Sequence, residues 1–191
     1  MKKILTVSVI TMIFSFFSID NMIHAEEVYE IKRGDTLWLI GKKHGVSMRD
    51  IESVNQISGN FMFNGEKLII PSSLSEQDMG LLARIVHAEA KGEPYKGKVA
   101  VATVVLNRVK HEQFPDSIEE VIYQENAFEP VANGSIHEPA DEASKKAVQE
   151  ALAYQMEESD LVYFYNPDIA TSDWIFSREV TMTIGNHVFA R

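Results

Sequence analysis

The run KVAVATVVLNRV, residues 98–109, is apolar nearly all round. A segment without a polar face must be covered on every side, so the fold is built around it. Its β-branched residues would also suit a buried strand, since short apolar runs are ambiguous between strand and helix. The length of the pattern up to Pro115, and the long segments on either side, favour a central buried helix. A second apolar run, Leu81–Val86, comes before it, and the residues HAEAKGE (87–93) and Pro94 lie between the two. Gly92 and Pro94 predict the end of the first helix there, because a residue before proline is pushed out of the helical region.

That first helix is expected to begin at Ser75, with Asp78 completing a variant of the capping box, and to run through GLLARIVHAEAK. On a helical wheel Glu89 falls about 20° from Leu82, inside the stripe made by Met79, Leu82, Ile85 and Val86, whereas His87 lies well off it. A carboxylate on a core-facing stripe loses hydration as an anion, so its pKa should rise. A carboxylic acid still protonated near neutral pH is what general-acid cleavage of a glycosidic bond requires. The bland alternatives are that Glu89 pairs with a buried arginine, for instance Arg108, or sits at the helix end in water. HAE lacks the second histidine of HExxH, so a zinc site is not expected. There is no GxSxG elbow for serine hydrolysis either.

The 191 residues leave room for one ordinary domain or two small ones, and they include no cysteine. Disulfides, thiolate metal sites and a cysteine nucleophile are therefore excluded. Lys2 and Lys3 precede an uncharged run from Ile4 to Ile19, with a small residue at Ala25. This reads as a secretory signal over residues 1–25, leaving no stable membrane span after cleavage; an uncleaved anchor is the alternative. The formal charge of −10 argues against a nucleic-acid partner. It is unevenly spread: residues 28–71 hold six basic and five acidic side chains, and residues 72–191 hold ten basic and twenty acidic. Two modules are expected, over 28–71 and 76–191.

The first reads as β-α-α-β. VYEIK alternates like a strand, Asp35 is a plausible N-cap for TLWLIGKKH, Gly45 closes that helix, MRDIESVNQ forms a second, and NGEKLIIP ends in a strand. Y-E-I-K-x-G-D-T-L-W-x-I, the G-V-S before the second helix, Asn55 and the final G-x-K-L-x-I-P resemble the LysM module. The resemblance implies binding of N-acetylglucosamine-containing glycans in a shallow groove between the loop Gly34, Asp35, Thr36, Leu37 and the loop before the last strand. Met62 and Phe63 are either an apolar floor to that groove or ordinary core. Trp38, on the apolar face of its helix, is expected in the core.

In the second module, SIEEVIYQENAF suggests a short helix from Ser117, EPVANGSIHEP an irregular stretch, and ADEASKKAVQEALAYQM a helix with Ala143, Ala147, Leu152 and Met156 among its apolar positions. VYFYNPD is strand-like, and EVTMTI-GN-HVFAR reads as a terminal hairpin. HAEAKGEPYKGKVAVATVVLNRV, NAF, YFYNPDIATSDWIFSREV and IGNHVF together resemble the catalytic domain of SleB/CwlJ-type cell-wall hydrolases, the spore cortex-lytic family. The implied fold class is α+β: a small LysM module plus a lysozyme-like mixed helix-and-sheet domain acting on peptidoglycan. The implied catalytic acid is Glu89, the residue the helical wheel also singles out.

Two chemistries fit one buried glutamic acid. A lytic transglycosylase needs it alone, first as acid and then as base towards the muramoyl 6-hydroxyl. A hydrolase needs a second carboxylate, and Glu93 is the nearest in sequence. The resemblance favours the transglycosylase. Phe128, Tyr163, Tyr165, Asn166 and Trp174 are the candidates for sugar contact, each with a structural alternative: core for the rings, a turn for Asn166-Pro167. Neither chemistry calls for a cofactor or metal. Peptidoglycan strands of N-acetylglucosamine and N-acetylmuramic acid are the expected partner, and a secreted, wall- or spore-associated location the expected setting. A wall-binding protein that has lost catalysis is the rival reading.

Overall fold

The computed structural model describes residues 27–59, 62–154 and 160–191. The apolar leader, and Met156 of the predicted third long helix, lie outside them. No helix among the described residues is long and apolar enough to cross a membrane.

The N-terminal part is β1 (Glu27–Glu30), α1 (Leu37–His44), α2 (Met48–Asn55) and β2 (Lys67–Ile70), with β1 and β2 antiparallel. Leu37, Ile40, Val46, Ile51, Leu68 and Ile70 form its core. The N-cap of α1 is Thr36, whose hydroxyl accepts from Leu39 N at 3.1 Å, and not Asp35. Asp35 is held one step earlier: its carboxylate accepts from Lys32 N (2.8 Å) and from the Tyr29 hydroxyl (2.9 Å), which closes the turn before the helix. Asn55 ties α2 to β2. Its amide donates to the Ile51 and Ile69 carbonyls at 2.8 and 2.7 Å and accepts from Ile69 N at 2.7 Å. Asn55→Ala removes all three bonds and strands polar groups of Ile69, so a loss of about 2–3 kcal/mol is expected. Urea unfolding of the full chain measures it; an unchanged midpoint would show that Asn55 does not hold the strand.

The C-terminal part follows with α3 (Glu76–Glu89), α4 (Tyr95–Lys110), α5 (Ile118–Tyr123), α6 (Glu129–Asn133), a 3-10 turn (Ser135–His137), α7 (Glu142–Tyr154), β3 (Tyr163–Tyr165), α8 (Asp173–Phe176), β4 (Val180–Ile184) and β5 (His187–Ala190). The central run is helical, and Val101, Ala102, Val104 and Val105 are fully buried, with α3, α5 and α7 packed round them. Ser75 caps α3 by accepting from Asp78 N at 3.0 Å; its hydroxyl in turn donates to the Asp78 carboxylate at 2.7 Å. The stretch expected to be irregular after NAF contains α6 and the 3-10 turn. Pro130 sits in the first turn of α6, where its missing N–H costs nothing. The short helix α8 lies between the strand-like VYFYNPD and the hairpin, in a stretch where the sequence pattern predicts no element. The strands order β3-β5-β4, all antiparallel, with the hairpin turning at Gly185-Asn186.

The two parts touch through α1 and α7. Trp38 is absent from the N-terminal core and lies against Tyr154, ring centroids 5.7 Å apart, so the apolar face that predicted a core position is covered by the other module. Lys42 lies 4.9 Å above the Trp38 ring and pairs with Glu150, which also accepts from the Tyr95 hydroxyl at 3.0 Å. Gly41 is required by the turn after α1, since a Cβ there would stand 2.6 Å from the Val46 carbonyl; towards Ala153 of α7 it would make only ordinary contact, at 3.6 Å.

Candidate active site

Glu89 is the last residue of α3, at the end of the stripe in which Leu82, Ile85 and Val86 are wholly buried. Burial pushes its pKa up to about 7, the negative charge of Glu129 adds to the rise, and Arg108 opposes it. The expected alternative, a Glu89–Arg108 ion pair, does not form: no such pair lies within 4 Å among the described residues. Arg108 is committed elsewhere. Its Nε donates to the Val162 carbonyl at 2.8 Å, and its guanidinium lies 5.1 Å from the ring centres of both Phe114 and Phe128. Burial lowers the Arg108 pKa to about 10, with Tyr163 and Glu89 acting against that fall. His87, off the stripe as expected, faces Asp141 at 3.5 Å.

From Arg108 an aromatic strip runs outward. Tyr163 lies 6.0 Å from Phe114 and 5.1 Å, edge-on, from Trp174; Tyr165 meets Phe176 at 5.4 Å. Strand alternation puts Tyr163 and Tyr165 on this face and sends Phe164 inward to Phe128, His187 and Phe189. Trp174 is 52% exposed and Phe176 46%, giving a platform open to a ligand. Phe128 is different. At 4% exposure it is core, with no face for a sugar, and it supports Arg108 from below. Asn166 accepts from Asp168 N at 3.0 Å and opens a turn.

Glu93 is turned away from open chemistry. Its two carboxylate oxygens accept from Asn186, at 3.1 Å from the backbone N and 3.0 Å from the side-chain amide, which pins the β4–β5 turn to the start of α4. Gly185 is required for this fit: it has φ +59°, and a Cβ on it would fall 1.9 Å from Glu93 Oε2. The carboxylate whose charge reaches Glu89 is Glu129, which the sequence offered only as the residue after NAF. No spacing rule points from Glu129 to Glu89, so only the folded chain could reveal it. Arg178 was missed too, and its guanidinium lies 4.5 Å over Trp174.

In the N-terminal part Gly34 is exposed with φ +93°, whereas Leu37, expected in the glycan groove, is 1% exposed and belongs to the module core, because its side chain is the first apolar anchor of α1. Met62 packs on the module core, and Phe63 is 67% exposed. Among the described residues no cluster of three or more His, Asp or Glu is placed to hold a metal ion.

Residues 92–190 match the Cell Wall Hydrolase model, more than half of the chain. The chain belongs to the Cell Wall Hydrolase family. Glu89 lies just ahead of the matched region, and residues 29–71 match the LysM domain. The spore cortex-lytic enzyme of Halalkalibacterium halodurans is 45% identical over 120 residues, which cover 63% of this chain and 36% of that protein. That of Bacillus subtilis is 42% identical over 120 residues, 39% of its length. The chain thus spans less than half the length of these curated relatives. Among solved structures, the catalytic domain of the Bacillus cereus SleB protein is 42% identical, with TM-score 0.59, covering 64% of this chain and 95% of that one. The catalytic domain of the germination-specific lytic transglycosylase SleB from Bacillus anthracis is 41% identical, also with TM-score 0.59. These likenesses agree with the mixed helix-and-sheet architecture expected for the larger module.

Proposed function

We propose that the protein is an exported peptidoglycan-degrading enzyme that cleaves between N-acetylmuramic acid and N-acetylglucosamine as a lytic transglycosylase. The observation that carries this is Glu89: a carboxyl group held protonated to about pH 7 by burial, within the electrostatic reach of Arg108, from which an aromatic strip opens to solvent. As acid, Glu89 gives its proton to the glycosidic oxygen. As carboxylate, it then removes the proton of the muramoyl 6-hydroxyl, whose oxygen closes onto C1 and forms the 1,6-anhydro ring. One group serves twice and no water enters the product. The engagement of both Glu93 oxygens with Asn186 supports this over a hydrolase using Glu93. Tyr163, Tyr165 and Trp174 supply flat faces for the sugar rings, and the N-terminal module holds the strand through Gly34, Asp35, Thr36 and the exposed Phe63. A relative named as a lytic transglycosylase gives the same reaction class.

Digestion of purified peptidoglycan in water enriched in oxygen-18 tests the reaction type. Anhydro-muramoyl ends free of the label are expected. Labelled reducing ends would mean that water attacks, and would turn attention to Glu129 as the second carboxylate.

A further inference from the structure

The platform holds a cation with no acidic partner among the described residues. Arg178 lies 4.5 Å over the Trp174 ring and 5.9 Å from that of Tyr163. Its Nε is buried without a hydrogen-bond partner, and among the described residues its guanidinium makes one hydrogen bond, of 3.3 Å, from Nη2 to the Ser177 hydroxyl. No carboxylate lies within ion-pair distance of it among the described residues. Its sequence neighbour Glu179 pairs with Arg191 instead, at 2.7 Å, and Asp160 joins that pair at 2.9 Å. The guanidinium thus lies against the exposed Trp174 ring, where a ligand on the aromatic surface would meet it. A guanidinium offers two parallel N–H donors that match a carboxylate, and an indole face covers the apolar side of a pyranose.

We propose that Arg178 and Trp174 form a subsite for a pyranose bearing a carboxylate, with the ring against the aromatic surface and the acid on the guanidinium. The inference rests on the reading that the chain acts on peptidoglycan strands, and it makes Arg178 a residue that determines which muramoyl units are accepted. The carboxylate has two sources there: the lactyl acid of a muramoyl unit stripped of peptide, or an acid on an attached stem peptide. A muramoyl unit whose acid is neutralised gains nothing from Arg178. The guanidinium also gives the acidic catalytic part a local point of attraction for an anionic strand.

The chain contains two tryptophans, so 5-fluorotryptophan labelling gives two fluorine resonances, and Trp174→Phe identifies the one at the platform. The Glu89→Gln protein, full length, is titrated with four tetrasaccharides. Three alternate N-acetylglucosamine with muramic acid and carry free lactyl acids, their methyl esters, or intact stem peptides; the fourth is neutral chitotetraose. The free acid or the stem-peptide form should shift the Trp174 resonance, with Kd raised roughly tenfold or more by Arg178→Gln and partly restored by Arg178→Lys. The methyl ester and chitotetraose should bind both proteins alike. Dependence on Arg178 for the free acid assigns the lactyl carboxylate; dependence for the stem-peptide form alone assigns the peptide. An equal change for acid and ester, or no effect of Arg178→Gln on any ligand, overturns the subsite. Strand cleavage by the unsubstituted protein is scored separately, so a lack of turnover would sink the proposed reaction while leaving the binding result to stand or fall by itself.

Discussion

Glu89→Gln is expected to lower the rate of soluble fragment release from peptidoglycan by about 10²–10⁴-fold, the scale on which a positioned proton donor contributes. The amide keeps the size and shape of the carboxyl at the end of α3 but has no proton to give and no basic oxygen to take one back. Binding should survive the change, because the groups expected to touch sugar are on β3, α8 and the N-terminal module. The comparison is therefore between rate and binding to insoluble wall. A variant that binds and does not cut agrees with the proposed role; one that cuts at the original rate removes Glu89 from the chemistry.

The same substitution should change stability in a pH-dependent way. Glu89 holds its proton more tightly in the folded chain, up to about pH 7, than the ordinary value of 4.5. Below pH 4.5 both states are protonated and the group contributes nothing. Between 4.5 and 7 the unfolded chain ionises while the folded one does not, so stability falls as pH rises. Above 7 the penalty is complete, on the order of 3 kcal/mol. Glu89→Gln escapes it, and should gain on the original protein from pH 4 to pH 8 by that order of magnitude in urea unfolding.

Cleavage itself should fall with alkaline pH through the loss of the protonated acid, about fiftyfold between pH 7, where half the groups still carry the proton, and pH 9. The neighbours of Glu89 set where that fall begins. Glu129→Gln removes a negative charge that raises the Glu89 pKa, so the carboxylate becomes easier to form and the alkaline limb moves to lower pH. Rate against pH for the two proteins measures the displacement. A limb that stays in place, or moves upward, would show that Glu129 does not act on the acid.

The features legible in the sequence were those that depend on local periodicity. The apolar run 98–109 announced the central helix, and the wheel over α3 placed Glu89 in the buried stripe, because side chains on one helix keep fixed angles whatever surrounds them. The alternation of Tyr163, Phe164 and Tyr165 divided outer from inner faces for the same reason. Contacts between elements were not legible. Phe128 was as plausible in a subsite as in the core until Arg108 lay over it. Glu93 was drawn to the hairpin turn by Asn186, 93 residues away, and Trp38 was claimed by Tyr154 on the other module. Arg178 stands out only when the partners of Arg191 are known, since the string SREV alone does not tell which arginine takes Glu179.

The docking of α1 on α7 also alters how the N-terminal module is to be understood. A module on a flexible tether raises the local concentration of enzyme at the wall. One held by Trp38 and Lys42 against α7 would also present its proposed glycan-binding residues at a set distance from Glu89. Removal of residues 28–71 would then do two things: weaken action on insoluble wall and uncover the α7 surface.

Titration of the Glu89 carboxyl carbon by NMR, in protein labelled with carbon-13 at glutamate and assigned through Glu89→Gln, tests the central claim most directly. A midpoint near 7 would establish a carboxyl group that is still an acid at neutral pH. A midpoint near 4.5 would mean an ordinary carboxylate, already ionised, and would contradict its role as the proton donor.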